Sequence, residues 1–317
     1  MNPTQPRVSI LISAHNSERF IEETIVSILR QTFEDFECII VNDGSTDGTA
    51  KVVERYLSDP RIRLVNLPKV GLCAALNHGL ELTRAPFIAR MDSDDVMLPE
   101  RLAQQFAFLQ AHPDLGGCGS FYHLIDEHGE PIGDGQSPLT SIDGIMRHLK
   151  NRGHLIYPNP TVMVRREVVL TLGGYRDEYF PCEDVDLFVR MLEMNKPVII
   201  LPSYLLQFRF HASSVSSTNA ERQFHLNNLI FHNFHARRRG EELVPVAHYF
   251  SHLKTASGMK KLVNWCRLQS FVLHRKAAHA KTNQHPLRGN GLLLLALALN
   301  PHDAYWKVVR RAQARLH

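Results

Sequence analysis

Short, near-continuous apolar runs alternate along this chain with segments whose apolar residues return every three or four positions. Val8–Ala14, 36–41, Ile62–Leu67 and Phe87–Met91 are runs of the first kind, rich in branched side chains, and such runs predict strands covered on both faces. Phe20, Ile21, Thr24, Ile25, Ile28 and Leu29 recur at helical spacing, with Ser17 placed to cap the helix, and further helices are predicted over about 49–57 and 72–82. This β–α alternation predicts a parallel sheet with helices on both faces. Ligands bind beyond the carboxyl ends of such strands, so the loops after Ala14, Val41 and Met91 are expected to share one crevice.

Past Pro99 the pattern predicts a helix to about Ala111, a strand over 115–121 and an irregular stretch with turn signals at 129–138. A strand over 161–164, helices over 166–171 and 184–194, and strands over 198–201 and 206–210 complete the first part. From about residue 219 the pattern is helical and basic. The expected division is an α/β domain over 1–217 and a helical region over 218–317.

Charge sharpens that division. The net +4 of the 317 residues hides −8 over 1–217 against +12 over 218–317. Otherwise the composition, 44% hydrophobic and 21% charged, is that of an ordinary globular protein. Five cysteines without a C-x-x-C pair argue against a zinc site or a disulfide framework and suit a reducing compartment. The polar start, 1–7, lacks the features of a signal peptide, so a cytoplasmic chain is expected. The most apolar run of the tail, 292–299, is far shorter than the roughly 20 residues of a spanning helix. The basic tail can pack on the α/β domain or rest peripherally on an anionic inner membrane; no nucleic-acid-binding motif accompanies its charge.

Asp92-Ser93-Asp94-Asp95 directly follows the fourth apolar run. Carboxylates spaced by one residue at a strand end can converge on a hard cation such as Mg2+ or Mn2+, or form a solvated turn before the next helix. Asp43 ends the second strand where it can meet a base or ribose edge, and Asp47 is placed to cap the following helix. Neither G-x-G-x-x-G nor G-x-x-x-x-G-K-[ST] occurs, so neither a nicotinamide enzyme nor a P-loop enzyme is indicated. Glu183, Asp184 and Asp186 cluster at a predicted helix start, where they can complement the helix dipole or supply a general base.

At these places together the sequence resembles the family 2 glycosyltransferases, whose GT-A fold is Rossmann-like, with a mainly parallel central sheet and flanking helices. Val8-Ser-Ile-Leu-Ile-Ser-Ala-His-Asn16 resembles the family's opening strand and loop, 41–48 its nucleotide-contacting turn, 89–95 its metal motif, and Gly173-Gly-Tyr175 followed by Glu183-Asp184 its acceptor side. The resemblance covers about 6–217. It implies a donor site built from Ser13, Ala14, His15, Asn16, Asp43, Gly71, Asn77, Arg90, Asp92 and Ser93, with Asp43 on the base, uracil foremost. It further implies a divalent cation, Mn2+ or Mg2+, on Asp94 with Asp92 and His211, and Asp184 as catalytic base beside Glu183. Asn159-Pro160 stands where many relatives carry His-Pro. The implied activity is inverting transfer from a nucleotide-sugar donor to a saccharide or lipid-linked acceptor in bacterial polysaccharide, lipopolysaccharide or glycolipid assembly. Its rivals are a catalytically silent nucleotide-sugar-binding module and a D-x-D phosphatase, whose motif normally follows the first strand rather than the fourth.

Overall fold

The computed structural model describes residues 5–155, 157–211, 218–255, 258–282 and 286–300. The chain forms two compact units, Met1–Phe210 and His211–His317; the sequence-drawn boundary at 217/218 falls slightly later, and 212–217 lie outside the described residues.

The first unit opens as the apolar pattern dictates: β1 (Val8–Ala14), α1 (Ile21–Leu29), β2 (Phe36–Asp43), α2 (Thr49–Glu54), β3 (Ile62–Leu67), α3 (Leu72–Leu82) and β4 (Phe87–Met91). Then come β5 (Val96–Met97), α4 (Arg101–Ala111), β6 (Gly117–Ile125), β7 (Pro131–Gly135), α5 (Ile142–Arg152), β8 (Met163–Arg165), α6 (Arg166–Thr171), α7 (Glu183–Glu193) and β9 (Val198–Arg209). They build one sheet of nine strands in the order β3-β2-β1-β4-β8-β6-β9-β5, with β7 paired to β6.

The strands β3, β2, β1 and β4 run parallel. β8 reverses the direction against both β4 and β6, while β9 returns parallel to β6 and antiparallel to β5. The sheet is therefore mainly parallel on its first side and mixed on the other. A three-residue strand such as β8 is too short for its apolar content to encode direction. The two strands expected over 198–210 are one, because the break at Pro202 is a bulge: Ser120 pairs with Leu201, yet Phe121 pairs with Tyr204. Proline lacks the N–H that would continue the ladder.

Ile10, Ile12, Cys38, Ile40, Ala89 and Met91 point to one buried face, packed by Ile21, Ile25 and Ile28 of α1 and Leu102, Phe106 and Leu109 of α4. Each such aliphatic side chain contributes about 1.5–3 kcal/mol when fully buried. On the other face α3 lies so close that a Cβ on Gly79 would sit 2.4 Å from Leu11 Cδ1. Ser17 does not cap α1 with its hydroxyl; its carbonyl accepts the Phe20 and Ile21 N–H groups. Asp47 does serve the next helix, its Oδ1 accepting the Thr49 N–H at 3.0 Å. The sequence reading did not place α5, although Ser141 Oγ accepts the Gly144 N–H at 3.0 Å and Gly153 closes the helix at φ 72°.

The second unit holds α8 (Ala220–Arg239), α9 (Val246–Thr255), α10 (Gly258–Thr282) and α11 (Pro286–Leu299). Leu226, Leu229, Ile230, Phe231 and Phe234 of α8 are buried, and Phe224 meets Phe271 of α10 with ring centroids 5.6 Å apart. Asn233 bonds both ways to the Val244 backbone at 2.9 Å, fixing the turn into α9. No described helix is long and apolar enough to cross a membrane.

Candidate active site

Strands β1 and β2 end in register, Ser13 opposite Val41 and Ala14 opposite Asn42, so their loops leave the sheet side by side. His15 Nδ1 lies 2.8 Å from the Asp43 carbonyl oxygen. The Asn16 N–H donates to Ser45 Oγ at 3.0 Å and its side-chain oxygen accepts the Thr46 N–H at 2.8 Å. Asn16 does this at φ 52°, a left-handed conformation that asparagine tolerates. Ser17 Oγ and Ser93 Oγ, 2.7 Å apart, join the β1 loop to the β4 loop. The three expected loops are thus hydrogen-bonded together at the carboxyl edge of the sheet.

Asp43 is buried at the end of β2. One carboxylate oxygen accepts the Val70 N–H at 2.6 Å, the other accepts Lys69 Nζ at 2.9 Å, and the Gly71 N–H reaches both. Burial alone would raise this carboxyl; the Val70, Lys69 and Gly71 donors outweigh it and hold the pKa below the usual carboxylate range. Gly71, at φ 94°, then turns the chain into α3. Asp43→Ala is therefore expected to cost about 1–3 kcal/mol in urea unfolding, the cost of stranding those donors. Because the folded pKa is depressed, the contribution is present above the unfolded value of about 3.9 and fades as pH falls through the lower folded one. An equal midpoint for variant and wild type at pH 7 would contradict it.

Asn77 spends its amide on the Tyr175 backbone, accepting the N–H and donating to the carbonyl, each at 2.8 Å. It fixes the Gly173-Gly174-Tyr175 segment, where a Cβ on Gly174 would meet Asn77 Oδ1 at 2.3 Å.

Arg90, buried in β4, donates to Asp92 Oδ1 at 2.6 Å and to the Met91 carbonyl, while its Nε has no hydrogen-bond partner. Beneath it lies Arg101, wholly buried, donating to the Arg90 carbonyl at 2.8 Å and to Gln105 Oε1 at 3.1 Å. Burial pulls its pKa down to about 10, against the opposing influence of Asp95, so it stays charged at neutral pH. The sequence reading passed over Arg101. Its signal is its place on the apolar face of α4 with Leu102, Gln105 and Leu109. Arg101→Met is expected to destabilise the first unit by about 3–5 kcal/mol, the cost of removing one partner of a buried charge network; a loss below about 1 kcal/mol in urea titration would show that the acidic loop does not depend on this cation.

Asp92, Asp94 and Asp95 each bring a carboxylate oxygen within 4.8 Å of the others. Asp95 is buried: Oδ1 accepts the Arg209 N–H at 2.7 Å, and Oδ2 has no hydrogen-bond partner. Burial, then Asp94 and Asp92, push its carboxyl well above the usual range. Asp92 is pushed up by burial against the pull of Arg90. Arg209 Nε also holds the Asp94 carbonyl at 2.8 Å, and Thr24 Oγ1 the Asp95 carbonyl at 2.8 Å. Three converging oxygen donors, one with a buried unmatched atom, fit a hard divalent cation.

At the start of α7, Glu183 is buried with Oε2 unpartnered, whereas Asp184 is half-buried and its Oδ1 accepts the Val185 N–H at 2.7 Å. Burial, then Asp184, raises Glu183 to about 8; burial raises Asp184 to about 6, with Asp92 adding and Arg90 opposing. Buried Tyr175 is pushed up to about 12 by burial and senses Arg90, Glu183, Asp184 and Asp92, so the two acidic clusters share one electrostatic neighbourhood. Asp186 stands apart: Arg176 and Arg190 clasp its carboxylate, and Arg190 also holds the Leu172 and Gly174 carbonyls. His211 is the first residue of the second unit.

Comparison with known proteins meets this geometry from three sides. The family model described as "Glycosyl transferase family 2" matches residues 9–173. The O-antigen biosynthesis glycosyltransferase WbnJ of Escherichia coli is 34% identical over 215 residues, 67% of this chain and 82% of its own. The amylovoran biosynthesis glycosyltransferase AmsE of Erwinia amylovora is 32% identical, over 66% of this chain and 78% of its own. Among solved structures, Staphylococcus aureus TarS 1–349 with UDP-GlcNAc aligns at TM-score 0.56 and 17% identity over 90% of each chain. The mannosyltransferase PcManGT of Pyrobaculum calidifontis, with GDP-Man and Mn2+, aligns at TM-score 0.56 and 18% identity over 95% of this chain and 89% of its own.

Proposed function

The chain belongs to glycosyl transferase family 2, and from that premise we propose an inverting transfer from a nucleotide diphosphate sugar, UDP-linked first, to an acceptor hydroxyl. The chain is a glycosyltransferase that uses a nucleotide sugar. The observation that carries the finer reading is the arrangement at the carboxyl edge of the sheet. Three strand-end loops are hydrogen-bonded together, a three-carboxylate cluster lies on one of them, and Asp184 stands in the same electrostatic neighbourhood.

We assign Ser13 to Asn16 and Ser93 to the walls around the nucleotide, and Asp43 to the base edge, where an imide N–H can displace the half-exposed Lys69 ammonium. Gly71 shapes that wall through its backbone, Asn77 fixes the acceptor-side segment, and Arg90 orients Asp92. Asp94, with Asp92 and Asp95 in reach, would hold a divalent cation, Mn2+ or Mg2+, which supplies Lewis-acid neutralisation of the charge on the departing diphosphate. Asp184 takes the proton of the acceptor hydroxyl as its oxygen bonds to the anomeric carbon. The bond from that carbon to the diphosphate oxygen breaks on the opposite side, and the configuration inverts. Glu183, held neutral, keeps a second negative charge away from the base.

The names of WbnJ and AmsE, O-antigen and amylovoran biosynthesis, support a role in bacterial surface polysaccharide assembly; the proposal adds a saccharide or lipid-linked acceptor and a place on the cytoplasmic side of the inner membrane. A D-x-D phosphatase is not favoured, because the motif follows the fourth strand of this sheet. The test is nucleoside diphosphate release from UDP-, GDP- and dTDP-sugars with Mn2+ and a saccharide acceptor panel. One carrier class is expected to turn over with inversion at the anomeric carbon; retention of configuration would overturn the mechanism, and release from none would overturn the donor assignment.

A further inference from the structure

The second unit carries an apolar surface that a water-soluble helical bundle would bury. Helix α11 is apolar nearly all round, a composition expected of a helix covered on every side. Its buried side is made of small residues: Gly289 and Ala296 face inward, and the Ala296 carbonyl accepts Ser270 Oγ of α10 at 2.8 Å. Three of its leucines stand outside. Leu287, Leu294 and Leu295 are 87%, 68% and 58% exposed, and with exposed Gly291 and Ala298 they form one stripe at helical spacing, free of charge. On α10, Leu262 and Trp265, three residues apart, are each about half exposed, while Leu268, Ser270 and Ala277 are buried.

The charge of the sequence that carries these helices is one-sided. Between Glu242 and Asp303 the chain carries eight Lys or Arg and no carboxylate. Ordinary solvated helices interleave both signs; this stretch offers cations alone, alongside exposed leucines and a tryptophan. No described helix is long and apolar enough to cross a membrane, and the 14 residues of α11 span about 21 Å, less than the bilayer's hydrocarbon core.

We propose that the exposed apolar face of α10 and α11 docks in the interfacial layer of an anionic lipid bilayer, leucines and Trp265 in the acyl boundary and the cations of the same stretch of sequence at the lipid phosphates. Apolar insertion and headgroup attraction are the two contributions that hold interfacial helices, and the second weakens with salt. Tryptophan suits the boundary because its ring is apolar and its N–H polar. The assignment does not depend on the transfer chemistry: release of nucleoside diphosphate from a soluble donor and acceptor reads that chemistry without lipid.

The test is co-sedimentation of the full chain with vesicles of phosphatidylcholine alone or mixed with phosphatidylglycerol, at low and high salt. Wild type is expected to bind the mixed vesicles at least tenfold more tightly than the neutral ones and to lose most of that advantage at high salt. The triple variant Leu287→Ser, Leu294→Ser, Leu295→Ser is expected to weaken binding to mixed vesicles at least tenfold, with unchanged helical circular dichroism and unchanged soluble turnover. Because the three side chains are exposed, their replacement removes no core packing. Equal vesicle binding by variant and wild type overturns the proposal. A wild type that ignores vesicles overturns it too. If that wild type is dimeric by light scattering and the triple variant monomeric, the surface belongs to a second copy; if it instead shifts on single-stranded nucleic acid, the charge serves that ligand.

Discussion

Asp184→Asn is expected to lower kcat about 10²–10⁴-fold, the usual contribution of a positioned general base, while leaving nucleotide binding in place. Asparagine keeps the size of the side chain and an oxygen to accept the Val185 N–H, so what is lost is the capacity to take a proton. Glu183 cannot stand in. It is buried, its Oε2 has no hydrogen-bond partner, and burial raises it to about 8, so it is largely protonated at neutral pH. Glu183→Gln replaces one neutral group by another and is expected to retain most of the rate. The pH dependence separates the two. Asp184 acts as a base only when ionised, and its pKa is raised to about 6; kcat should therefore rise from the acid side through about 6 and level off above it. The residual rate of Asp184→Asn should lack that limb. Initial rates of nucleoside diphosphate release across pH for the three proteins decide the matter. An acid limb that survives in Asp184→Asn would assign the proton transfer elsewhere.

How far the sequence reveals such a site depends on the physical signal each residue leaves. β1 to β4 and their loops were legible because near-continuous apolar runs end in dense turn residues, and the D-x-D stands directly behind one such run. The direction of β8 and the existence of β7 were not. Three apolar residues fit either direction, and Pro131-Ile-Gly-Asp-Gly135 has no alternation to read. Helix α5 was legible in principle, from a serine cap, Ile142, Ile145 and Leu149 at helical spacing, and a closing glycine. Within Glu183-Asp184-Val-Asp186 the three carboxylates look equivalent as a string. About 100° of rotation per residue separates them in a helix, and only the fold shows that Asp186 belongs to Arg176 and Arg190 while Asp184 stays half-exposed. Long-range partners such as Arg209 and Asp95, 114 residues apart, leave no local signal at all.

Asp94→Ala is expected to abolish the part of nucleoside diphosphate binding that depends on the cation and to lower kcat by about 10²–10³-fold, what a Lewis-acid contribution of several kcal/mol is worth in rate. The loop keeps anchors that do not involve the Asp94 side chain. Arg209 holds Asp94 by its backbone carbonyl, Thr24 holds the Asp95 carbonyl, and the Asp95 carboxylate takes the Arg209 N–H. Without the cation, deletion should relieve repulsion among three carboxylate oxygens that lie within 4.8 Å of one another. Two measurements then move in opposite directions. In EDTA the variant should melt at or above the wild-type temperature. On addition of Mn2+ the wild type should gain stability by preferential binding to the folded state, and the variant much less. Calorimetric titration of UDP, GDP and dTDP, each with Mn2+ or EDTA, completes the experiment: one nucleotide should bind the wild type tightly with Mn2+ and weakly in EDTA, and bind the variant weakly in both. Binding that is equally tight in EDTA would remove the cation from the donor site, whereas a variant that keeps the full Mn2+ response would move the ligand role from Asp94 to Asp92 and Asp95.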